Sequence, residues 1–301
     1  MAARFAWVLN LDADLELGAI ASGSAGARTA YTPKRSTREA MRAFAPRIAA
    51  SLLDPKDDVV VDDDTPPNAA RGLIGRAFCP TPRALRLLRR AGAEPEPHPT
   101  CDALVRANSR AFASSLGATL PEAAFVSRED DARALLALPP PRALAQAWRV
   151  KRNFGMTGRG QRVVASTPTE QDIAFVRAGL AEGGVQIEPN VTILSEYTIH
   201  GLLDPSGVLT LGRVLKQRCD ARGAWIASDE LATDEAPGGL EEEARRVAAA
   251  LHQAGYFGPF GVDAYTYRRH ETGDGATALQ VRSEINARYT MGFGLPVPKQ
   301  T

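Results

Sequence analysis

Cysteine is scarce in this sequence: Cys79, Cys101 and Cys219 are odd in number, far apart and without a CxxC pair. That excludes a disulfide framework and a zinc site of the usual spacing, and it fits a reducing cytosol. An excess of one charge is also missing. The 36 basic and 35 acidic residues leave a net charge of +1, so composition gives no reason to expect a nucleic-acid or membrane-surface partner. The basic run RALRLLRR (83 to 90) reads as one solvated helix face. No stretch approaches the roughly 18 apolar residues of a membrane span. MAARFAWVLNLDADLELG has one Arg and an apolar run broken by Asn10, Asp12 and Asp14, so it does not read as a signal peptide. Internal repeats and low-complexity tracts are absent as well. A cytoplasmic protein is the expectation, and the Ala-, Arg- and Pro-rich composition is of a kind associated with bacterial, GC-rich genomes.

What is present suffices for a large core. With 301 residues, 44% of them hydrophobic, two or three domains are expected. Residues 1–100 alternate strand and helix signals, as an α/β domain does. FAWVLNL and DDVVVDD read as strands, STREAMRAFAPRIAASLL as a helix capped by Ser36 or Thr37 and bent at Pro46. A second helix is framed by Thr81, Pro82 and Gly92. A Pro-rich link, EPEPHPT, follows. In residues 101–183, Ser127 and Asp130 have capping-box spacing, AWRVK and QRVVAS read as strands, and TPTEQDIAFVRAGLAEGG as a helix capped by Thr167 and ended at Gly183. Residues 184–301 hold the strands VQIEP, EYTIHGLL and GVLTLGRVLKQR, the helix LEEEARRVAAALHQAG, and the closing pair FGVDAYTYR and ATALQVRSEINA.

The closing pair carries the sharpest chemical signal. Its Gly273-Asp274 makes a good two-residue hairpin turn, and that register sets Asp263 directly opposite Glu284. Two carboxylates so placed repel unless a cation lies between them or one is protonated. Asn286 adds a neutral oxygen on the same face, and the set Asp263, Glu284, Asn286 suits magnesium. An alternative is open: Arg282 and Arg288, flanking Glu284 on that face, pair with the acids at a surface.

A second signal is Lys151 at the end of one strand, followed by Gly155, Gly158 and Gly160 before another. A GxxGxG loop between antiparallel strands is a flap whose N–H groups can approach phosphate oxygens. It is neither a Walker loop nor a dinucleotide fingerprint, because no GK[ST] and no helix follow. Read alone, it could equally be a Gly-rich hairpin with a surface lysine. None of His98, His200, His252 and His270 sits in a catalytic constellation, although His200 lies on the EYTIHGLL strand. The VDDDT run (61 to 65) ends a strand of the first domain and could face substrate.

Taken in order, these segments resemble the ATP-grasp superfamily over roughly residues 100 to 295, with the preceding layer similar to that family's N-terminal domain. The resemblance implies an α/β N-terminal domain followed by an α+β ATP-grasp fold whose two subdomains hold ATP between them. It implies that Lys151 and the Gly155, Gly158 and Gly160 flap meet the phosphates, with Arg110 where a second phosphate-contacting lysine usually stands. The segment from Glu188 through Asn190 to Val191 looks like the adenine-reading hinge, and Glu196 like the acid that takes the ribose hydroxyls. Lys216 or Arg218 would reach the γ-phosphate. Asp263, Glu284 and Asn286 would carry Mg2+, and Arg288 would balance charge on the transferring phosphoryl group. The implied reaction is ADP-forming carbon–nitrogen ligation: a substrate carboxylate is activated as an acyl phosphate and joined to an amine. A small-molecule kinase of the same fold and a non-enzymatic nucleotide-binding module are the alternatives. Expected partners are small-molecule or peptide carboxylates and amines, not nucleic acid or membrane, and a homodimer is left open.

Overall fold

A computed structural model describes residues 4–24, 26–117, 120–155, 160–220, 225–232, 235–269 and 276–295. The first layer comprises β1 (Phe5–Val8), α1 (Ala13–Ala21), α2 (Ala27–Ala30), α3 (Arg35–Leu52), β2 (Val59–Val60), β3 (Ile74–Ala77), α4 (Pro82–Arg90) and β4 (Glu94–Pro95). Its strands pair in parallel in the order β2-β1-β3-β4. Every residue of β1 is buried, because both faces of the sheet are covered. Ala6 and Val8 pack with Leu87 and Leu88 of α4, and Phe5 and Trp7 with Ile48 and Leu52 of α3. Thr81 caps α4 through its hydroxyl, which accepts from the Ala84 N–H, with Pro82 at the first helical position. Gly92, just past the end, has φ of 80°, a conformation in which a side chain would be strained. Helix α3 runs through Pro46, and its N-cap is Lys34 with no side-chain cap, rather than Ser36 or Thr37.

The chain continues through α5 (Cys101–Ala107), α6 (Arg110–Ser115), β5 (Ala124–Val126), α7 (Glu129–Ala137), β6 (Ala147–Arg152), β7 (Gln161–Ala165), α8 (Glu170–Ala181) and β8 (Val185–Pro189). The second sheet has the order β5-β8-β6-β7. Strand VQIEP, expected in the third unit, is its β8: it pairs antiparallel with both β5 and β6, so the crossing to the next sheet falls after Pro189. Trp148, Val150, Val185 and Ile187 bury one face of this sheet against α7 and α8, with Ala132, Leu136 and Val176. Two capping expectations move. Helix α8 is capped by Thr169, whose hydroxyl and Asp172 form a reciprocal capping box, and this displaces Thr167 by two residues. Helix α7 starts after Arg128 with no side-chain cap.

The third sheet contains β9 (Ile193–Leu203), β10 (Leu209–Cys219), β11 (Trp225–Glu230), β12 (Gly258–Arg268) and β13 (Thr277–Asn286), in the order β11-β10-β9-β12-β13. Helix α9 (Leu240–Gln253) covers one face: its Leu240, Ala244, Val247 and Leu251 pack with Ile199, Val262, Ala264 and Ile285. Strand alternation then turns Glu196, Asp263 and Glu284 to the opposite face. Beyond β13, Tyr289 and Phe293 enter the core of the first layer beside Phe5, Trp7 and Ile48.

Asp263 pairs with Glu284, as expected. The turn arithmetic does not hold along the whole hairpin, however. Nearer its closed end Arg268 pairs with Thr277 and Tyr265 with Gln280, and the register shifts between Asp263 and Tyr265. The Gly273-Asp274 turn and His270 lie outside the described residues. Among the described residues no helix is long and apolar enough to cross a membrane.

Candidate functional site

The second and third sheets turn their uncovered faces towards a cavity of about 820 Å³, within the range of about 300–1,000 Å³ common for ligand sites. Because Trp148 and Val150 face α7 and α8, Arg149 and Lys151 point the other way and line it. Lys151 is buried, and its Nζ lies 2.6 Å from Glu188 Oε1 on β8. Burial disfavours its positive charge, and Glu188 opposes that effect; the net result is a lowered pKa. Gln186 donates to the other Glu188 oxygen at 3.0 Å. Gly155 and Gly160, at the two ends of the flap, also line the cavity, and Gly160 has φ of 84°. Gly158 lies outside the described residues.

From the third sheet come Glu196, Lys216, Gln217, Tyr265 and Glu284, and from α6 comes Arg110. Arg110 Nη2 lies 2.9 Å from Glu284 Oε1. A smaller adjoining cavity of about 190 Å³ is lined by the acid row, Asp263, Glu284 and Asn286, and by Arg288 and Asp14 beside it. Asp263 accepts from Asn286 Nδ2 at 2.8 Å and from Gln217 Nε2 at 3.2 Å. Burial, and then the Glu284 charge, push its pKa up to about 6. Among the described residues no group of three or more His, Cys, Asp or Glu is placed to hold a metal ion. The row offers two carboxylates and one amide.

The surface-pairing alternative fails on two contacts. Arg282 is engaged by Glu243 of α9 and by the Gly117 carbonyl, because the register shift turns it off the Glu284 face. Arg288 donates to Asp14 of α1, Nη2 to Oδ2 at 2.7 Å. Burial opposes the Arg288 charge, but Asp14 outweighs it and keeps the guanidinium more firmly protonated than usual. Asn190 is not part of the cavity lining; its Oδ1 accepts from Arg149 Nε and Nη2 at 3.0 and 2.6 Å. His200 is buried, and burial lowers its pKa to about 4. Its Nδ1 accepts from the Gly294 N–H at 3.0 Å, a packing role. In the VDDDT run, Asp62 accepts from the Asp64 N–H and the Thr65 hydroxyl, and Asp63 pairs with Arg83.

Neither a family model nor a curated protein sequence matches the chain. Solved structures do. D-alanyl-alanine synthetase A from Vibrio cholerae is similar over 98% of this chain and 92% of its own, with a TM-score of 0.50 at 12% identity. The chain has the ATP-grasp fold. N5-carboxyaminoimidazole synthetase from Staphylococcus aureus, complexed with ADP, is similar over 96% of this chain and 71% of its own, with a TM-score of 0.49 at 13% identity. D-alanine–D-alanine ligase from Bacillus anthracis covers 96% of this chain and 88% of its own, with a TM-score of 0.46 at 14% identity.

Within this ATP-grasp fold the sequence reading missed Arg149, Gln217, Tyr265 and Asp14. Arg149 had a signal: it stands two residues before Lys151 and so shares its face. Gln217 stands between the expected alternatives Lys216 and Arg218. The register sets it opposite Glu196 and on the acid face, whereas Lys216 pairs with Tyr197, on the side of Val214, while still bordering the cavity. Arg218 pairs with Asp229, Nε to Oδ2 at 2.8 Å. Asp14 had no signal of its own, since its contact with Arg288 spans 274 positions.

Proposed function

We propose that the protein is an ATP-dependent carbon–nitrogen ligase. One observation carries this reading: Lys151, Glu188, Arg110, Glu196 and Glu284, drawn from α6 and two separate sheets, line a single cavity that opens onto the acid row. Arg110 and Lys151 are the cations for a triphosphate, Gly155 and Gly160 bring backbone close to it, and Glu196 is the acceptor for the ribose hydroxyls.

The acid row fits Mg2+. That ion is held by one or two carboxylates together with substrate phosphates and water, so it needs no third acid. Asp263 and Glu284 would be its anionic ligands, with Asn286 as the amide once its oxygen, in place of the Nδ2 that donates to Asp263, faces the ion. When bound, the ion neutralises phosphate charge as the γ-phosphoryl group moves.

The chain's own residues do the positioning. A substrate carboxylate oxygen attacks the γ-phosphorus, the bond to the β-bridging oxygen breaks, and ADP leaves with that electron pair. Arg288, fixed by Asp14, faces the charge that develops. An amine nitrogen then attacks the acyl carbon. The C–N bond forms, the C–O bond to phosphorus breaks, phosphate departs, and the nitrogen gives up its proton to solvent.

The test is incubation with ATP, Mg2+ and pooled amino and organic acids, followed by phosphate assay and mass spectrometry. A product heavier by an amine minus water is expected, with equimolar ADP and phosphate. A phosphate ester and no free phosphate would make the protein a kinase. ATP that neither turns over nor stabilises the fold would refute the nucleotide reading.

A further inference from the structure

The cavity between the second and third sheets has unlike ends. Lys151 and the flap residues Gly155 and Gly160 line it at one of them, with Arg110 and Glu284. Arg149 stands two residues before Lys151 on β6, about 7 Å away along the strand. Its register partner is Glu188, next to the crossing after Pro189. Arg149 therefore lines the cavity on the side away from the flap, with Pro189 and Val191.

The Arg149 side chain is half-buried, and every nitrogen of its guanidinium is engaged. Nε and Nη2 donate to Asn190 Oδ1 at 3.0 and 2.6 Å, and Nη1 donates to Gln161 Oε1 at 3.1 Å. Hydrogen bonds to a guanidinium lie in its plane. Acceptors from β7 and from the residue after β8 thus hold the group by its edge and leave its faces for contact. A planar cation so fixed stacks well on an aromatic ring, and its edge is already spent for a phosphate. The third sheet adds apolar surface. Leu194, two residues before Glu196 and on the same face, lines the cavity with Ile226, and they are 42% and 44% exposed. Burial and Glu188 raise the pKa of Tyr265, which also lines the cavity, and the Arg149 charge lowers it, so the charge is felt on the third sheet.

We infer that Arg149 is the base-contacting residue of this cavity: the purine ring of ATP stacks on the face of its guanidinium, and Leu194 and Ile226 cover the ring from the third sheet. The inference rests on the nucleotide reading of the cavity. It assigns Arg149 to the base and not to the phosphates, although charge alone would suit either. Asn190 is a positioning residue, which holds the plane.

Titration calorimetry of the full chain with ATP and with CTP, each with Mg2+, tests it. The two ligands share ribose and triphosphate, so the ratio of their affinities isolates the base. The wild type prefers ATP, whose double ring covers more of the guanidinium. Arg149→Lys keeps the charge and loses the plane: it weakens ATP about ten- to hundredfold, the worth of a base stacked on a planar side chain, and CTP by a smaller factor. Asn190→Ala keeps the guanidinium but lets it turn; it lowers the ratio in the same sense, and it carries the test if Arg149→Lys does not fold. The inference is overturned if Arg149→Lys binds ATP as the wild type does, or if either variant weakens ATP and CTP by one common factor, the mark of a phosphate contact or a purely structural role. Should CTP bind the wild type too weakly to measure, the loss of ATP affinity in Arg149→Lys at unchanged charge decides. A wild type that binds neither nucleotide refutes the nucleotide reading instead, and so separates the two failures.

Discussion

Asp263→Asn should make the nucleotide-free protein more stable at neutral pH, although it removes a proposed metal ligand. Burial and the Glu284 charge lift the Asp263 pKa from 3.8 to about 6, so between those values the folded state holds a proton that the unfolded state has released. Stability from this group is therefore greatest below the unfolded value and declines as pH rises through the folded one. At about 1.4 kcal/mol per tenfold change in proton affinity, ionised Asp263 costs about 3 kcal/mol above pH 6. The side chain is only half-buried, and solvent screening reduces this to about 1–2 kcal/mol. Asparagine keeps an oxygen for Asn286 or Gln217 and discards the charge. Urea unfolding at several pH values between 4 and 8, without nucleotide or metal, gives the answer. Asp12, Glu16 and Glu96 are also raised by burial, so the decline survives in both proteins and the difference between them isolates Asp263. The variant should match the wild type near pH 4 and exceed it by about 1–2 kcal/mol at pH 8. Equal stability across the range, or a variant less stable at pH 8, would show that the carboxylate is not burdened and that the acid row needs no cation.

Further outcomes follow from neighbouring contacts. Lys151→Ala should abolish most of the ATP-dependent rise in melting temperature while Arg86→Ala, on the outer helix α4, leaves it intact. Because Lys151→Ala strands Glu188 in the interior, it should also cost about 3–5 kcal/mol by urea unfolding, and adding Glu188→Gln should recover much of that without restoring the ATP effect. Glu284→Gln loses a half-exposed pair with Arg110 and relieves repulsion with Asp263. The two terms nearly cancel, to within about 1 kcal/mol, and Mg2+-dependent ATP turnover should fall sharply in a steady-state assay. Thr81→Ala removes the cap of α4 and the donor to Glu16, 2.7 Å away, and should cost about 2 kcal/mol in thermal or urea melts.

The parts of the fold that sequence made legible are those governed by short-range periodicity. The turn register expected from Gly273-Asp274 set Asp263 opposite Glu284, a pairing the hairpin reaches through a shift of register rather than along one continuous register, and the framing of α4 by Thr81, Pro82 and Gly92 followed from local backbone chemistry. Arg282 escaped for a physical reason: a change of register between Asp263 and Tyr265 has no marker in residue type, and it sends that guanidinium to Glu243. The cap of α8 was misplaced because Thr167 and Thr169 both have a hydroxyl and both have an acid three residues on, Glu170 and Asp172, so residue type does not choose between them; the chain uses Thr169 with Asp172. The Asn190 side chain holds Arg149, a cross-strand contact that depends on where β8 pairs and has no marker in the sequence. The Asp14–Arg288 pair joins the opening segment of the chain to its closing one, a distance over which single-sequence patterns carry nothing.

The passage of Tyr289 and Phe293 into the core around Trp7 has a mechanical consequence. The strand bearing Glu284 and Asn286 is moored at its far end to the first layer, with the Trp7 and Tyr289 rings 5.2 Å apart. First layer and acid row are thereby tied together, and widening of the cavity between the second and third sheets should come from displacement of the second sheet. A disulfide that staples the second sheet to the third should then trap ligand exchange, whereas one between the first layer and the segment after β13 should leave it free.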